Sequence, residues 1–478
     1  MDPLLTDWRP ADASVPGYRA LADRLRLLIL DGRLPVGTVL PSERALALGI
    51  GASRTTTTAA YRLLREEGYA DGSQGAGTWT RLPRDGSPIA AWPMAMDGET
   101  GETNGRGDLT SAAAPAPPEV HAAYVAALSD LPRYLPGNGY VTAGLNVLRE
   151  RIAATYTARG LPTSAEEILV TAGALHAMHL VLPLVMQRGD RVLVEHPTYP
   201  AAIDAVRRAG GRTVALPIED GWQPERIRRV LQQSGARLAY LIPDFHNPTG
   251  QLMDGRTRTA LAAALSETGS IAIIDETCQT LDLRAELGRS ALPVAPFAAY
   301  ARSGAVITLG STSKTIWGGL RIGWIRAERS LIAQLAMARA RDDLAGPIME
   351  QLAAANLLEQ LDVLVPRRRA QLAAQYRALR DALAAELPSW RVVEPDGGMV
   401  VWAQLPEPRS SEIVASGAAL GLTLTSGPRF GVDGSFESRL RIPFTRPEGE
   451  LRAAAGILAH AWHSPIRYPS VVDRREVI

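Results

Sequence analysis

Lys314 is the only lysine among the 51 Lys and Arg residues of the chain. A guanidinium stays protonated and cannot condense with an aldehyde, whereas a primary amine can form a Schiff base. A solitary lysine is also what a composition strongly biased towards arginine leaves behind, so its neighbours must decide. Lys314 lies in GSTSKTIWGGLRIGW, where Ser311, Ser313 and Arg321 supply hydroxyls and a guanidinium suited to a phosphate dianion; a serine and glycine cluster is equally an ordinary loop. Asp275 ends the apolar run IAIIDET, where a carboxylate can pair with a ring cation or cap a helix. Asn247, in DFHNPTG, offers an amide donor on a turn fixed by Pro248 and Gly250. Tyr199, in EHPTYP, can stack on a ring or fill a core. In TAGALH, the N–H groups of Ala174 and Leu175 can open a helix onto a phosphate.

These residues need a sheet to hold them. A chain of 478 residues predicts at least two domains. With 46% hydrophobic and 21% charged residues, the composition favours neither a disordered nor a membrane class. MDPLLTDWRP has no long apolar core, and the apolar stretch from Ala174 to Met186 is broken by His176, His179 and Pro183, so neither an export signal nor a membrane span is predicted. The one cysteine, Cys278, excludes a disulfide framework and a multi-cysteine metal site, and fits a reducing cytoplasm; no metal is expected. From about Leu109 onwards, EILVTAG, RVLVEHP, LAYLIPD, IAIIDET and AVITLGS alternate with helical stretches. This predicts buried strands of a mainly parallel sheet in an α/β body. Helix-rich sequence from Leu331 to Leu387 and a last segment from Trp390 to His463 predict a smaller α/β subdomain.

Ahead of this body lies a compact α+β pattern. YRALADRLRLLILDG carries Leu21, Leu25, Leu28 and Ile29 at helical spacing, closed by Gly32 and Pro35. PSERALALG follows, with Ser42 as cap and Gly49 as stop. SRTTTTAAYRLLREEG predicts a third helix capped by Ser53, the stripe of Ala60, Leu63 and Leu64 outweighing four threonines. YADGSQGAGTWT predicts a small hairpin. Three helices and a hairpin make a winged helix-turn-helix, whose third helix would bring Arg54, Thr55, Thr56 and Thr57 to double-stranded DNA. With eight arginines against six acids between Val15 and Thr80, the charge is also compatible with a small protein-binding module. The predicted organisation is a head at 15–80, a flexible linker rich in Gly, Pro and acids at 81–108, a body at 109–463 and a tail at 464–478.

The string LPSERALALGIGASRTTTTAAYRLLREEGY, with GSQGAGTWT, resembles the GntR family of bacterial winged-helix regulators. The resemblance assigns DNA contacts to Arg44, Arg54, Thr55 and Thr56, and to Gln74 and Gly75 at the wing tip; Thr58 stands where some relatives carry a further arginine. From Leu109 to His463, the order of glycine turn, aromatic, NPTG, strand aspartate, SxSK and arginine resembles the fold type I aminotransferases. That resemblance implies pyridoxal 5'-phosphate (PLP) held by Lys314 as a Schiff base, with Asp275 on the pyridinium, Asn247 on the phenolate oxygen and Tyr199 on the ring. It further implies Arg441 in LRIPF as receiver of an amino-acid carboxylate, and Tyr134 as a tyrosine reaching the phosphate of a neighbouring subunit in a homodimer. Cys278, in DETCQ, replaces the usual tyrosine and is a weaker donor. Head and body together resemble the MocR family, including its PdxR and GabR types. The implied function is a transcriptional regulator that senses PLP or its external aldimine with a small amine or amino acid. The alternatives are an active aminotransferase with an accessory head, and a PLP carrier with no DNA role.

Overall fold

The computed structural model describes residues 5, 8, 16–30, 33–73, 77–81, 107–302 and 304–464. Most of the expected linker, the wing tip with Gln74 and Gly75, and all of the expected tail but its first residue lie outside these.

The head contains helices α1 (Gly17–Leu30), α2 (Glu43–Gly49) and α3 (Arg54–Glu66). Its strands are β1 (Val39–Leu40), β2 (Ala70–Ser73) and β3 (Gly77–Thr80). Ser42 Oγ accepts from Ala45 N at 3.2 Å and Ser53 Oγ from Thr56 N at 3.0 Å, so both expected caps form. The left-handed residue after α2 is Gly51, with φ 63°, and not Gly49, which is still helical. α3 is a helix despite its threonines because Ala60, Tyr61 and Leu64 bury against α1 residues Leu21, Leu25 and Leu28. β1 was not legible as a strand; it pairs Val39 with Trp79 and Leu40 with Thr78, and extends the hairpin to three strands.

The body opens with β4 (Gly107–Asp108), α4 (Glu119–Asp130) and α5 (Asn146–Ala158). Its main sheet uses β5 (Ile168–Thr171), β6 (Arg191–His196), β7 (Arg212–Pro217), β8 (Leu238–Leu241), β9 (Ile271–Asp275), β10 (Val306–Ser311) and β11 (Gly323–Arg326). The order is β5-β11-β10-β9-β8-β6-β7. β11 runs antiparallel to β10 and β5, and the remaining neighbours are parallel. Covered on both faces, β5, β8 and β10 are buried along their whole length, which is why they read as unbroken apolar runs. Helices α6 (Ala174–Val185) and α7 (Pro200–Arg208) pack on one face through Val181 and Val206; Leu231, Leu261 and Leu265 cover the other. β7 and β11 were not singled out from the sequence: RTVALP is only partly buried over most of its length, and GWIR spans four residues.

The smaller subdomain is a four-stranded sheet of β12 (Arg391–Val392), β13 (Val400–Gln404), β15 (Thr425–Ser426) and β16 (Arg439–Pro443), ordered β12-β13-β16-β15. Helices Leu361–Glu386 and Glu448–His463 pack on it through Leu372, Leu379, Leu451 and Leu458. β14 (Leu422–Thr423) pairs in parallel with β4, so the chain enters the body at this subdomain. Among the described residues no helix is long and apolar enough to cross a membrane.

Gly310 lets β10 lie flat against Trp324: a Cβ there would sit 2.2 Å from Trp324 Cε2. Gly310→Ala is therefore expected to destabilise the body by roughly 1–3 kcal/mol through overpacking. Chemical denaturation checks this, and an unchanged midpoint contradicts it.

Candidate functional site

The carboxyl ends of β5, β6, β9 and β10 lie along one edge of the parallel sheet, where open α/β sheets receive ligands. β9 delivers Asp275 to that edge; its Oδ2 accepts from Tyr240 Oη at 2.7 Å and its Oδ1 from Thr277 N at 2.9 Å. Tyr240 was missed from the sequence. Its one signal is a hydroxyl inside the otherwise apolar LAYL of β8. Burial and the Asp275 charge push the Tyr240 hydroxyl well above the ordinary tyrosine range, so it is a permanent donor to the carboxylate.

β10 ends at Ser311, three residues before Lys314. Ser311 Oγ donates to Ser313 Oγ at 3.0 Å and accepts from Ser313 N at 3.1 Å, which fixes the turn that presents the lysine. Lys314 is half-buried, and its Nζ donates to the Ala112 carbonyl at 2.8 Å. Desolvation lowers its pKa, and the Arg441 charge adds to this, while Cys278 and Asp275 pull the other way. A lowered ammonium pKa raises the share of neutral, nucleophilic amine.

Beside them, α6 begins at Ala174 after Gly173, whose φ is 96°. Arg321 lies against that helix start, donating to the Ala172 carbonyl at 2.8 Å. A Cβ on Gly173 would stand 3.0 Å from the Arg321 guanidinium, so glycine keeps this cradle open. The free N–H groups of the first turn, including those of Ala174 and Leu175, face the end where Arg321 sits, a setting that favours an anion. Tyr199 caps α7 just after a cis His196–Pro197 bond; burial raises its pKa first, then the Asp275 charge, while Arg441 and Arg321 lower it. The tyrosine thus lies within the fields of all three expected binding groups.

Arg441 projects from β16. Its guanidinium donates to the Thr110 carbonyl and stands 5.1 Å over the Phe430 ring. Burial pulls it down to about 10, with Tyr199 and Asp108 pulling upward, so it remains cationic at neutral pH. Arg441 Nε has no hydrogen-bond partner, and among the described residues no carboxylate lies within ion-pair distance. Asn247 follows a buried turn and is joined to Pro248 by a cis bond; its Oδ1 is also without a partner. A pyridoxal phosphate fits this set of groups: an amine, a carboxylate for the ring nitrogen, a carboxamide, a ring tyrosine and a phosphate cradle. Tyr134 stands apart, following a 3-10 turn at Leu131–Arg133 and packing with α4 and α5.

On the head, Ser53, Arg54 and Thr55 are exposed at the start of α3, Thr56 is half-buried and Arg44 is exposed on α2. Thr57 corrects the sequence expectation: its side chain is fully buried and its Oγ1 donates to the Ser53 carbonyl at 3.3 Å, so it fills the head core instead of facing DNA. Thr58, in the place of an arginine, donates to Glu43 Oε2 at 2.6 Å and ties α3 to α2.

The family model for aminotransferase class I and II matches residues 115–458. The chain belongs to that family. Ahead of this family domain, the model for bacterial regulatory proteins of the gntR family matches residues 17–79. The chain is therefore a GntR-type helix-turn-helix head joined to a fold type I aminotransferase-like body. Over 421 residues it is 27% identical to the uncharacterized HTH-type transcriptional regulator YdfD of Bacillus subtilis, covering 82% of this chain and 85% of that one. Over 337 residues it is 31% identical to the probable rhizopine catabolism regulatory protein MocR of Rhizobium meliloti, covering 66% of each. The crystal structure of LysN, an alpha-aminoadipate aminotransferase from Thermus thermophilus complexed with N-(5'-phosphopyridoxyl)-L-leucine, superposes with a TM-score of 0.66 at 27% identity, covering 75% of this chain and 92% of that one.

Burial pushes the Cys278 thiol up to about 11, with Lys314 opposing the shift. A raised pKa keeps the thiol protonated until the pH approaches that value. At pH 8 its alkylation is expected to run roughly a hundredfold slower than that of free cysteine. Labelling timed by mass spectrometry checks this; equal rates in the native protein contradict it.

Proposed function

We propose that the protein is a DNA-binding transcriptional regulator whose aminotransferase-like body binds PLP and senses it, alone or with an amine or amino acid. The observation that carries this reading is the coexistence of an exposed, correctly capped α3 with a body whose Lys314, Asp275, Asn247, Arg321 and Arg441 suit PLP and an amino acid. The regulators among its relatives support the same division of labour.

Bound here, PLP supplies an aldehyde carbon and an electron-withdrawing ring. Lys314, whose pKa burial lowers, would offer its amine to that aldehyde. Asp275, whose carboxylate accepts from the Tyr240 hydroxyl, would pair with the ring nitrogen. Ser311, Ser313, Arg321 and the N–H groups of Ala174 and Leu175 hold the phosphate, Asn247 meets the phenolate oxygen and Tyr199 covers the ring. Arg441 takes a carboxylate. Cys278, a poor donor with a protonated thiol, replaces a phenol at this site and favours holding a ligand over rapid turnover.

Arg54, Thr55, Thr56 and Ser53 carry the main DNA contacts, with Arg44 and the wing-tip Gln74 and Gly75 flanking them. A homodimer would supply two heads for two half-sites. Exposed Val125, Leu128, Leu135 and Tyr140, around Tyr134, support a second copy of the chain at that surface. The cytoplasm is the compartment that such a role requires.

The retained Arg441 and activated Lys314 favour a second reading, a working aminotransferase. Fast multiple turnover of an amino acid with a keto acid, without specific binding to DNA beside its own gene, would replace the proposal. On the proposed reading, the visible absorbance band of bound PLP disappears in Lys314→Ala, and its persistence contradicts the lysine's role. In gel shifts, Arg54→Ala is expected to weaken binding to that DNA by about tenfold or more, for the loss of roughly 1–3 kcal/mol of contact. Unchanged affinity contradicts the DNA face.

A further inference from the structure

The lysine proposed for the cofactor and the guanidinium proposed for an amino-acid carboxylate are both held by one stretch of backbone. Arg441 donates to the Thr110 carbonyl, and Lys314 Nζ donates to the Ala112 carbonyl at 2.8 Å. This stretch begins at Gly107, directly after residues 82–106, which join it along the chain to the head.

The stretch is fastened at its ends and weakly fastened in between. At its start, β4 pairs with β14, Gly107 N donates to the Gly421 carbonyl at 2.8 Å, and Leu109 N to the Thr423 carbonyl at 2.9 Å. At its far end, Arg368 donates to the Pro115 carbonyl at 2.9 Å. Between them run Thr110, Ser111, Ala112, Ala113 and Ala114, of which only Ala114 is buried; Ser111 and Ala113 are exposed. Thr110 is turned by Asp108, whose Oδ1 accepts from its N at 2.8 Å and its Oγ1 at 2.7 Å. Beside the far end, a cavity of about 310 Å³ lined by Pro115, Pro117, Thr315, Arg367 and Gln371 leaves room for displacement.

We propose that residues 110–114 form a strap that α-amino acids displace, because their carboxylate takes Arg441 from the Thr110 carbonyl. The inference rests on the proposed function and names both the ligand class and its readout. A carboxylate meets a guanidinium with two charge-assisted hydrogen bonds, whereas a carbonyl is neutral, so the exchange favours the ligand. Arg441 Nε, without a partner, is the second donor for that bidentate contact. An amine lacking the carboxylate leaves Thr110 on Arg441 and the strap in place. Release of the strap alters the point at which the connection to the head is anchored, so occupancy is transmitted by the chain itself.

Hydrogen exchange followed by mass spectrometry on the full-length, PLP-loaded protein tests this. A mixture of proteinogenic L-amino acids is expected to speed exchange in residues 107–118 by about fivefold or more, and the mixture of their decarboxylated amines is not. Arg441→Met is expected to speed it without any ligand, while the helix Glu448–His463 stays protected. An unmoved strap with the amino acids, equal release by the amines, or an unmoved strap in Arg441→Met with the helix intact overturns the proposal. The visible band of bound PLP is read in the same wild-type sample. Its absence refutes the cofactor reading beneath the strap, whereas its presence beside an unmoved strap refutes the strap alone.

Discussion

One primary amine at the edge of a parallel sheet, under the opposed charges of a carboxylate and a buried guanidinium, is the constraint on which the body is built. Burial lowers the pKa of Lys314, and Cys278 and then Asp275 oppose the shift. Holding a charged carboxylate there in turn requires donors, and Tyr240 and the Thr277 N–H provide them. The glycines at 173 and 310 serve the same end, one by opening the anion cradle and the other by letting β10 approach Trp324. Chemistry and packing meet on the same strands, so the site's residue types follow from where those strands end.

A head on such a body is useful only if ligand affinity differs between two arrangements of the chain. A ligand that binds both equally shifts nothing. Arg441 offers a physical source for the difference, since a buried guanidinium held by a neutral carbonyl gains most from an anion that can replace it. The protonated thiol of Cys278 fits the same purpose, as a site that reports occupancy gains little from fast turnover.

Much of this could be read from the sequence because it rests on local rules. The caps Ser42 and Ser53, the apolar runs of β5, β8, β9 and β10, and the lone lysine each carry their reason within a few residues. What stayed hidden depends on distance in space. Tyr240 looks like any strand tyrosine until β8 is set beside β9. Thr57 looks like its neighbours Thr55 and Thr56 until the turn of α3 points it into the head core. β1 and β11 are short and β7 is only partly buried, so none stands out as an apolar run, and they are strands because partners satisfy their backbone. The hold of residues 110 and 112 on Arg441 and Lys314 spans some two to three hundred positions of sequence and uses backbone carbonyls, which leave no trace in residue type.

The central claim is that the cofactor site governs the DNA-binding head. Fluorescence anisotropy of a labelled fragment from beside its own gene, titrated with wild-type and Lys314→Ala protein with and without PLP and amino acids, measures that coupling most directly. The account predicts a shift in wild-type DNA affinity of about fivefold or more, within the usual range of coupling energies, and none in Lys314→Ala. Equal wild-type affinity under all conditions, or the same shift in Lys314→Ala, would contradict it.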